Sequence, residues 1–249
     1  MTATDTIKTY QMIRYISFPL FFMLLFTQFV CGQNNHTYDK KLHILTLGDS
    51  NGTFPYSWPE QLKLSLPNSQ IYNISKSSRT IGFLNLGDSS LNSLLVIEKN
   101  LQKAADVAGD QPYDYIVIDL GTNDAKAIFN SQQELVPKNL DDLITSIQTN
   151  KSVTINKAKI LIVSPTPYGT KAESTEKYRG GGMRVKAMAK SFKTIAKQKK
   201  CLFVDGYKTP GLNMENMSSD GLHMDAIGSA KLAQTIIAVL KKHEDSERY

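Results

Sequence analysis

The sequence is short of the residues on which metal, redox and nucleotide chemistry depend. In 249 residues it has two cysteines, four histidines and one tryptophan. A disulfide framework of the kind that staples small exported domains needs more cysteine than that. His36, His43, His223 and His243 are not gathered with cysteines or carboxylates at metal-ligand spacing, so neither a metal nor a cofactor is expected. No Gly-rich run of the Walker or dinucleotide type is present to cradle phosphates. The lysines are scattered, with no basic-aromatic stripe, so nucleic acid is not an expected partner. There is no internal repeat, heptad run or low-complexity tract, which removes solenoid, coiled-coil and disordered readings. What remains is ordinary globular composition, 41% hydrophobic and 21% charged, with length enough for one well-buried core.

Long apolar runs are also scarce. The longest, Ile16 to Val30, follows Lys8 and Arg14 and precedes Val30-Cys31-Gly32, which offers a cleavage site before Gln33. This pattern predicts a signal peptide over 1–32 and a single domain over 33–249, secreted or periplasmic. The run is shorter than the roughly 20 residues of a comfortable span, so no stable membrane insertion is expected after cleavage. An uncleaved N-terminal anchor and a lipid anchor through Cys31 are the less favoured alternatives; Gln28 and Val30 fit a lipoprotein signal poorly. Cleavage leaves Cys201 as the lone thiol, read as a small buried hydrophobe at the head of Cys-Leu-Phe-Val. Removing Lys8, Arg14 and Asp5 takes the formal charge from +6 to about +5, read as a solvated surface.

Five β-branched and aliphatic runs read as strands: 42–47, 70–74, 115–120, 159–163 and 201–204. Their near-continuous apolar character is that of strands covered on both faces. Helical spacing occupies 59–66, 90–108, 132–148, 178–199 and 226–242, the last with Asp225 as N-cap and an apolar stripe from Ile227 to Leu240. Alternating strand and helix implies a parallel sheet joined by crossovers, the α/β class. The simplest such architecture is a flavodoxin-like three-layer α/β/α sandwich on a five-stranded parallel sheet. Chemistry then belongs just beyond the carboxyl ends of the strands.

Polar loops stand at those places. Gly48-Asp49-Ser50-Asn51-Gly52 sets a hydroxyl after the first strand, and a serine needs a base within reach to act as a nucleophile. Asp220 and His223, three residues apart before the last helix, can supply a carboxylate-oriented imidazole. After the third strand, Gly121-Thr122-Asn123-Asp124 places an amide donor at the same edge. The loop Ser75 to Thr80 after the second strand offers backbone N–H groups. Each stretch alone is what any turn prefers; their joint order along the chain is the signal.

Gly48-Asp49-Ser50, the loop around Ser78, Gly121-Thr122-Asn123-Asp124 and Asp220-Gly221-Leu222-His223 resemble the four signature blocks of the SGNH (GDSL-like) hydrolases. The resemblance spans nearly the whole chain after residue 32. Ser77-Ser78-Arg79-Thr80, Val163-Ser164-Pro165-Thr166-Pro167 and Gly180-Gly181-Gly182 are similar to the bacterial arylesterase and acyltransferase branch. The resemblance implies a Ser50–His223–Asp220 triad and an oxyanion hole from the Ser50 and Ser78 backbone N–H groups and the Asn123 side chain. Ser78 stands where many members have glycine. Asn51 replaces the name-giving leucine, and as a non-reacting side chain it is expected to matter little. Asp49, Arg79, Asp124 and Tyr168 are the expected substrate-side residues, with Tyr56 and Trp58 as further candidates to line the cleft.

The function expected is a secreted serine esterase acting on short-chain, chiefly acetyl, esters, including those of acylated carbohydrate. A lysophospholipase or thioesterase, an acyltransferase and a non-catalytic glycan-binding protein are the rivals.

Overall fold

The computed structural model describes residues 40–248, so the signal peptide expected over 1–32, with Cys31, lies outside the described residues. Alternation along the strands sets the layers. β1 (His43–Gly48), β2 (Gln70–Asn73), β3 (Tyr115–Asp119), β4 (Lys159–Val163) and β5 (Leu202–Val204) form one sheet in the order β2-β1-β3-β4-β5. Every pairing is parallel. Leu45, Leu47, Ile116, Ile118, Ile160 and Ile162 face one core and Ile44, Tyr115, Val117, Leu161, Val163 and Val204 the other. Successive strand side chains point to opposite faces, so two buried faces demand the continuous apolar runs seen in the sequence.

Helices cover both faces. α1 (Trp58–Ser65) packs on one side of the sheet; α2 (Ser93–Ala108) and α3 (Val136–Gln148) pack on the other. Two short helices follow, α4 (Val153–Asn156) and α5 (Thr170–Glu173). α6 (Gly181–Gln198) joins the layer of α2 and α3 through Val185, Met188 and Phe192, and α7 (Ala226–Ser246) joins that of α1 through Leu232, Ile236 and Leu240. The result is the expected flavodoxin-like three-layer sandwich. Fully burying one such Leu or Ile contributes about 1.5–3 kcal/mol, so both layers are held mainly by these stripes.

The helix starts differ from the expected ones for local reasons. α2 begins at Ser93, because Asn92 has extended backbone and its side chain accepts from the Leu95 N–H. α3 begins at Val136 with a proline in its first turn, after a 3-10 stretch over Ala127–Leu135. Gly180, at φ 72°, delays α6 to Gly181. Asp225 caps α7 as expected, its side chain accepting from the Gly228 N–H at 2.8 Å.

The topology creates one crevice of consequence. The chain leaves β1 toward β2 and leaves β3 toward β4, so β1 and β3 are neighbours from which the crossovers diverge. Such a switch point opens a gap beyond the carboxyl ends of the two strands. Gly48 pairs with Asp119 in register, so the segments following them enter that gap at the same level. Among the described residues no helix is long and apolar enough to cross a membrane.

Candidate active site

The loop after β1 is built by its own polar residues. Asp49 Oδ1 accepts from the Asn51 N–H at 3.0 Å and so caps the 3-10 turn Ser50–Gly52. Glycine is needed at 48 and 52 because the loop after β2 lies against them. A Cβ on Gly48 would stand 2.9 Å from Ser75 Oγ, and one on Gly52 2.4 Å from it.

Ser219 to Asp225 approaches from the C-terminal side. Gly221 takes φ 76°, a left-handed turn that a side chain would strain. Across that turn Asp220 Oδ1 accepts from the Leu222 and His223 N–H groups, each at 2.8 Å. Its Oδ2 stands 2.6 Å from His223 Nδ1. With Nδ1–H donating to the carboxylate, Nε2 is left as an acceptor, 2.9 Å from Ser50 Oγ. Partial burial pushes the Asp220 carboxyl up, but the His223 N–H, the His223 ring and the Leu222 N–H together hold it well below the usual carboxylate range. An imidazole fixed between a persistent carboxylate and a hydroxyl can take the hydroxyl proton.

Asn51, expected to matter little as a non-reacting side chain, is bonded to the histidine loop. Its Nδ2 donates to the Leu222 carbonyl at 3.3 Å and its Oδ1 accepts from the Met224 N–H at 2.9 Å. These are the residues on either side of His223. A single buried amide thus ties the serine loop to the histidine loop across 173 positions of sequence.

The loops after β2 and β3 are braced in the same way. Ser78 adopts φ 65°, the left-handed conformation that glycine takes without strain. Its carbonyl accepts from Asn85 Nδ2 at 2.6 Å, and Asn85 Oδ1 accepts from the buried Lys126 Nζ at 3.1 Å. Burial and the nearby Lys177 charge bring the Lys126 ammonium down to about 8, against weaker upward pulls from Asp49 and Asp124. Asn123 Nδ2 donates to the Arg79 carbonyl at 3.1 Å, which fixes the amide and leaves its second N–H unclaimed by that bond. The sequence gives no sign of the bond between Asn85 and Lys126, which lie 41 positions apart.

Asp49, Arg79, Asp124 and Tyr168, expected on the substrate side, are engaged elsewhere. Asp49 and Asp124 are 1% and 0% exposed. Both Asp124 oxygens accept from the Ile81 N–H at 3.0 Å, and burial lifts this carboxyl to about 7 against the pull of the Ile81 and Gly82 N–H groups. Arg79 is 4% exposed and donates through Nη1 to the Ile74 carbonyl at 2.6 Å. Tyr168 donates its hydroxyl to the Thr122 carbonyl at 2.5 Å. The hydrogen bonds of these four residues brace the loops that carry Ser50, Ser78 and Asn123. Trp58 is fully buried in the core under α1 and α7. Tyr56, by contrast, does line a cleft.

That cleft, of about 440 Å³, is bounded by His223 and Asp220 and by Phe54, Tyr56, Asn216, Ser218, Ser219 and Asp225. The Phe54 ring meets the imidazole edge-on at 5.5 Å between centroids and stacks on Tyr56 at 5.4 Å. Among the described residues no group of histidine, cysteine and carboxylate side chains is arranged to hold a metal ion.

Comparison with known proteins agrees with this fold. A carbohydrate acetylesterase from Sinorhizobium meliloti superposes with a TM-score of 0.68 at 22% identity, over 81% of this chain and 99% of that one. The aryl esterase of M. smegmatis gives 0.65 at 22% identity, over 80% and 100%. An acetyl xylan esterase gives 0.59 at 16% identity, over 79% and 98%. No curated protein sequence matches the chain. Residues 44–231 match the GDSL-like Lipase/Acylhydrolase family, a span that runs from β1 into α7. The chain belongs to that family and is an SGNH-type carboxylic ester hydrolase.

Proposed function

We propose that the protein is an exported esterase that removes short acyl groups, acetyl foremost, from ester substrates including acylated carbohydrate. The observation that carries the reading is the continuous line Asp220–His223–Ser50, with contacts of 2.6 and 2.9 Å. In this reading His223 Nε2 takes the proton of Ser50 as Oγ attacks the ester carbonyl. The carbonyl oxygen becomes an oxyanion, held by the Ser50 and Ser78 backbone N–H groups and the free N–H of Asn123. The tetrahedral species collapses when His223 returns its proton to the departing alcohol. Water, deprotonated by the same ring, then releases the acid from the acyl-enzyme. Asp220 stays ionised throughout, keeping Nδ1 protonated and Nε2 free to accept.

The preference for a small acyl group rests on two supports. The described residues include no long apolar lid segment, and structural neighbours carry acetylesterase names. Export rests on the basic and apolar N-terminal pattern with its cleavage site. The test is hydrolysis of a chromogenic acetate by the native protein and by Ser50→Ala. Loss of the nucleophile in such a site costs about a million-fold in kcat; a variant that keeps a tenth of the activity sinks the mechanism.

A further inference from the structure

The direction in which the alcohol must leave can be read from the site. An oxyanion held by the Ser50 loop, Ser78 and Asn123 fixes where the carbonyl oxygen points. The leaving oxygen must then lie within reach of His223 Nε2, because that ring returns the proton as the C–O bond breaks. The alcohol therefore departs on the side that the imidazole borders. His223 is one wall of the cleft of about 440 Å³ described above. This volume lies within the roughly 300–1,000 Å³ usual for small-molecule sites.

The lining of this cleft is selective. Beside the imidazole, Phe54 and Tyr56 are stacked with their ring planes inclined by 3°, and Tyr56, the outer ring, is 39% exposed. The exposed Tyr56 ring offers a flat apolar surface to the cleft. The remaining polar lining is the amide of Asn216, the hydroxyls of Ser218 and Ser219, and the carboxylates of Asp220 and Asp225. No lysine or arginine lines it. Lys171, which comes near, is committed to the Ser219 carbonyl at 2.5 Å. An anionic alcohol, such as a phosphate-bearing glycerol, would meet two carboxylates and no cation. A long alkyl alcohol would strand the amide and hydroxyls against methylene groups. A neutral sugar ring fits both walls. Its C–H face lies on the exposed Tyr56 ring and its hydroxyls meet Asn216, the serines and the carboxylates.

We infer that this cleft is the alcohol subsite and that it receives a neutral sugar ring, with Tyr56 and Asn216 determining specificity. The inference rests on the esterase reading and adds the chemistry of the leaving group.

The test compares kcat/KM for three acetate esters: methyl acetate, whose alcohol is too small to reach Tyr56; a mono-acetylated methyl glucoside; and acetylated glycerol phosphate. The native protein is expected to favour the glucoside over the phosphate ester by at least about ten-fold. Tyr56→Ala is expected to lower kcat/KM for the glucoside about ten-fold more than for methyl acetate, and Asn216→Ala to act in the same sense. Tyr56→Phe keeps the flat ring and is expected to keep the preference. Equal losses on glucoside and methyl acetate in both alanine variants, or a phosphate ester turned over faster than the glucoside, would overturn the assignment while leaving the esterase intact. If the native protein hydrolyses none of the three and Ser50 takes up no organophosphate label, the esterase reading fails and the subsite falls with it.

Discussion

Asn51 touches the peptide groups on both sides of His223, and this predicts a specific behaviour for Asn51→Leu. The variant places in this chain the residue for which the family is named. It fits a buried position sterically but leaves the Leu222 carbonyl and Met224 N–H unpaired, at a cost of about 1–3 kcal/mol. The histidine loop then loses its tie to the serine loop. Misplacement of a catalytic group by about 1 Å can cost on the order of a hundred-fold. Asn51→Leu is expected to lower kcat about 10- to 100-fold with little change in KM, and to slow organophosphate labelling of Ser50 in proportion. Unchanged kcat and labelling in a folded variant would show that the histidine loop holds itself. The sequence could not disclose this contact, because the partners are backbone atoms remote in the chain. The side chains proposed to react, Ser50, His223 and Asn123, were legible for the opposite reason. A nucleophile, a base and an oxyanion donor must be particular residue types, whereas a brace can be any amide in the right place. Asn85 lies among Phe83, Leu84 and Leu86 with no local pattern to mark it, and nothing in the sequence around Lys126 shows that its ammonium is buried.

The loop after β2 depends on a brace that runs from Lys126 through Asn85 to the Ser78 carbonyl. A non-glycine residue in the left-handed region costs about 1–2 kcal/mol, so Ser78 at φ 65° is held there by its surroundings. Asn85→Ala removes the hold and strips Lys126 of its partner. A fall in kcat of about ten-fold or more is expected, less than the loss of a whole oxyanion donor. Adding Ser78→Gly should recover part of it, since glycine takes this conformation unaided. Full activity in the single variant, or no recovery in the double, would overturn the proposed place of Ser78 in the oxyanion hole. Strands and helix bodies were easier to anticipate than this loop. A strand covered on both faces has to be apolar throughout, and α7 announces itself by its Asp225 cap and its stripe. Helix beginnings were less legible. Asn92 and Gly180 act through backbone angles, and the 3-10 stretch before α3 carries apolar residues at spacings that also suit an α-helix.

The sheet brings its polar loops together by burying acids beneath them, and this gives the fold a distinctive response to pH. Burial raises the Asp49 carboxyl; burial and then repulsion from Asp49 raise Asp119 well above its usual range; burial lifts Asp124 to about 7. In each case the folded state holds its proton more tightly than the unfolded chain, whose aspartates titrate near 4. Stability from these groups is complete below about pH 4 and is lost as pH rises through the folded values. Carboxyls shifted the other way, Asp220 and Glu244 among them, gain their contribution as pH rises through about 4 and are fully ionised in both states above that. Lys126, lowered to about 8, begins to differ from the unfolded chain only above that pH. Between about pH 5 and 7 the buried aspartates therefore govern the slope. Urea unfolding is expected to give lower stability at pH 7 than at pH 5. Asp124→Asn, which cannot ionise, should flatten the difference by an amount on the order of 1 kcal/mol or more. Stability that rises between these pH values, or a slope untouched by Asp124→Asn, would mean that these acids are ionised in the folded protein. The bond from the Ile81 N–H to Asp124 would then rest on charge rather than on a proton-bearing carboxyl.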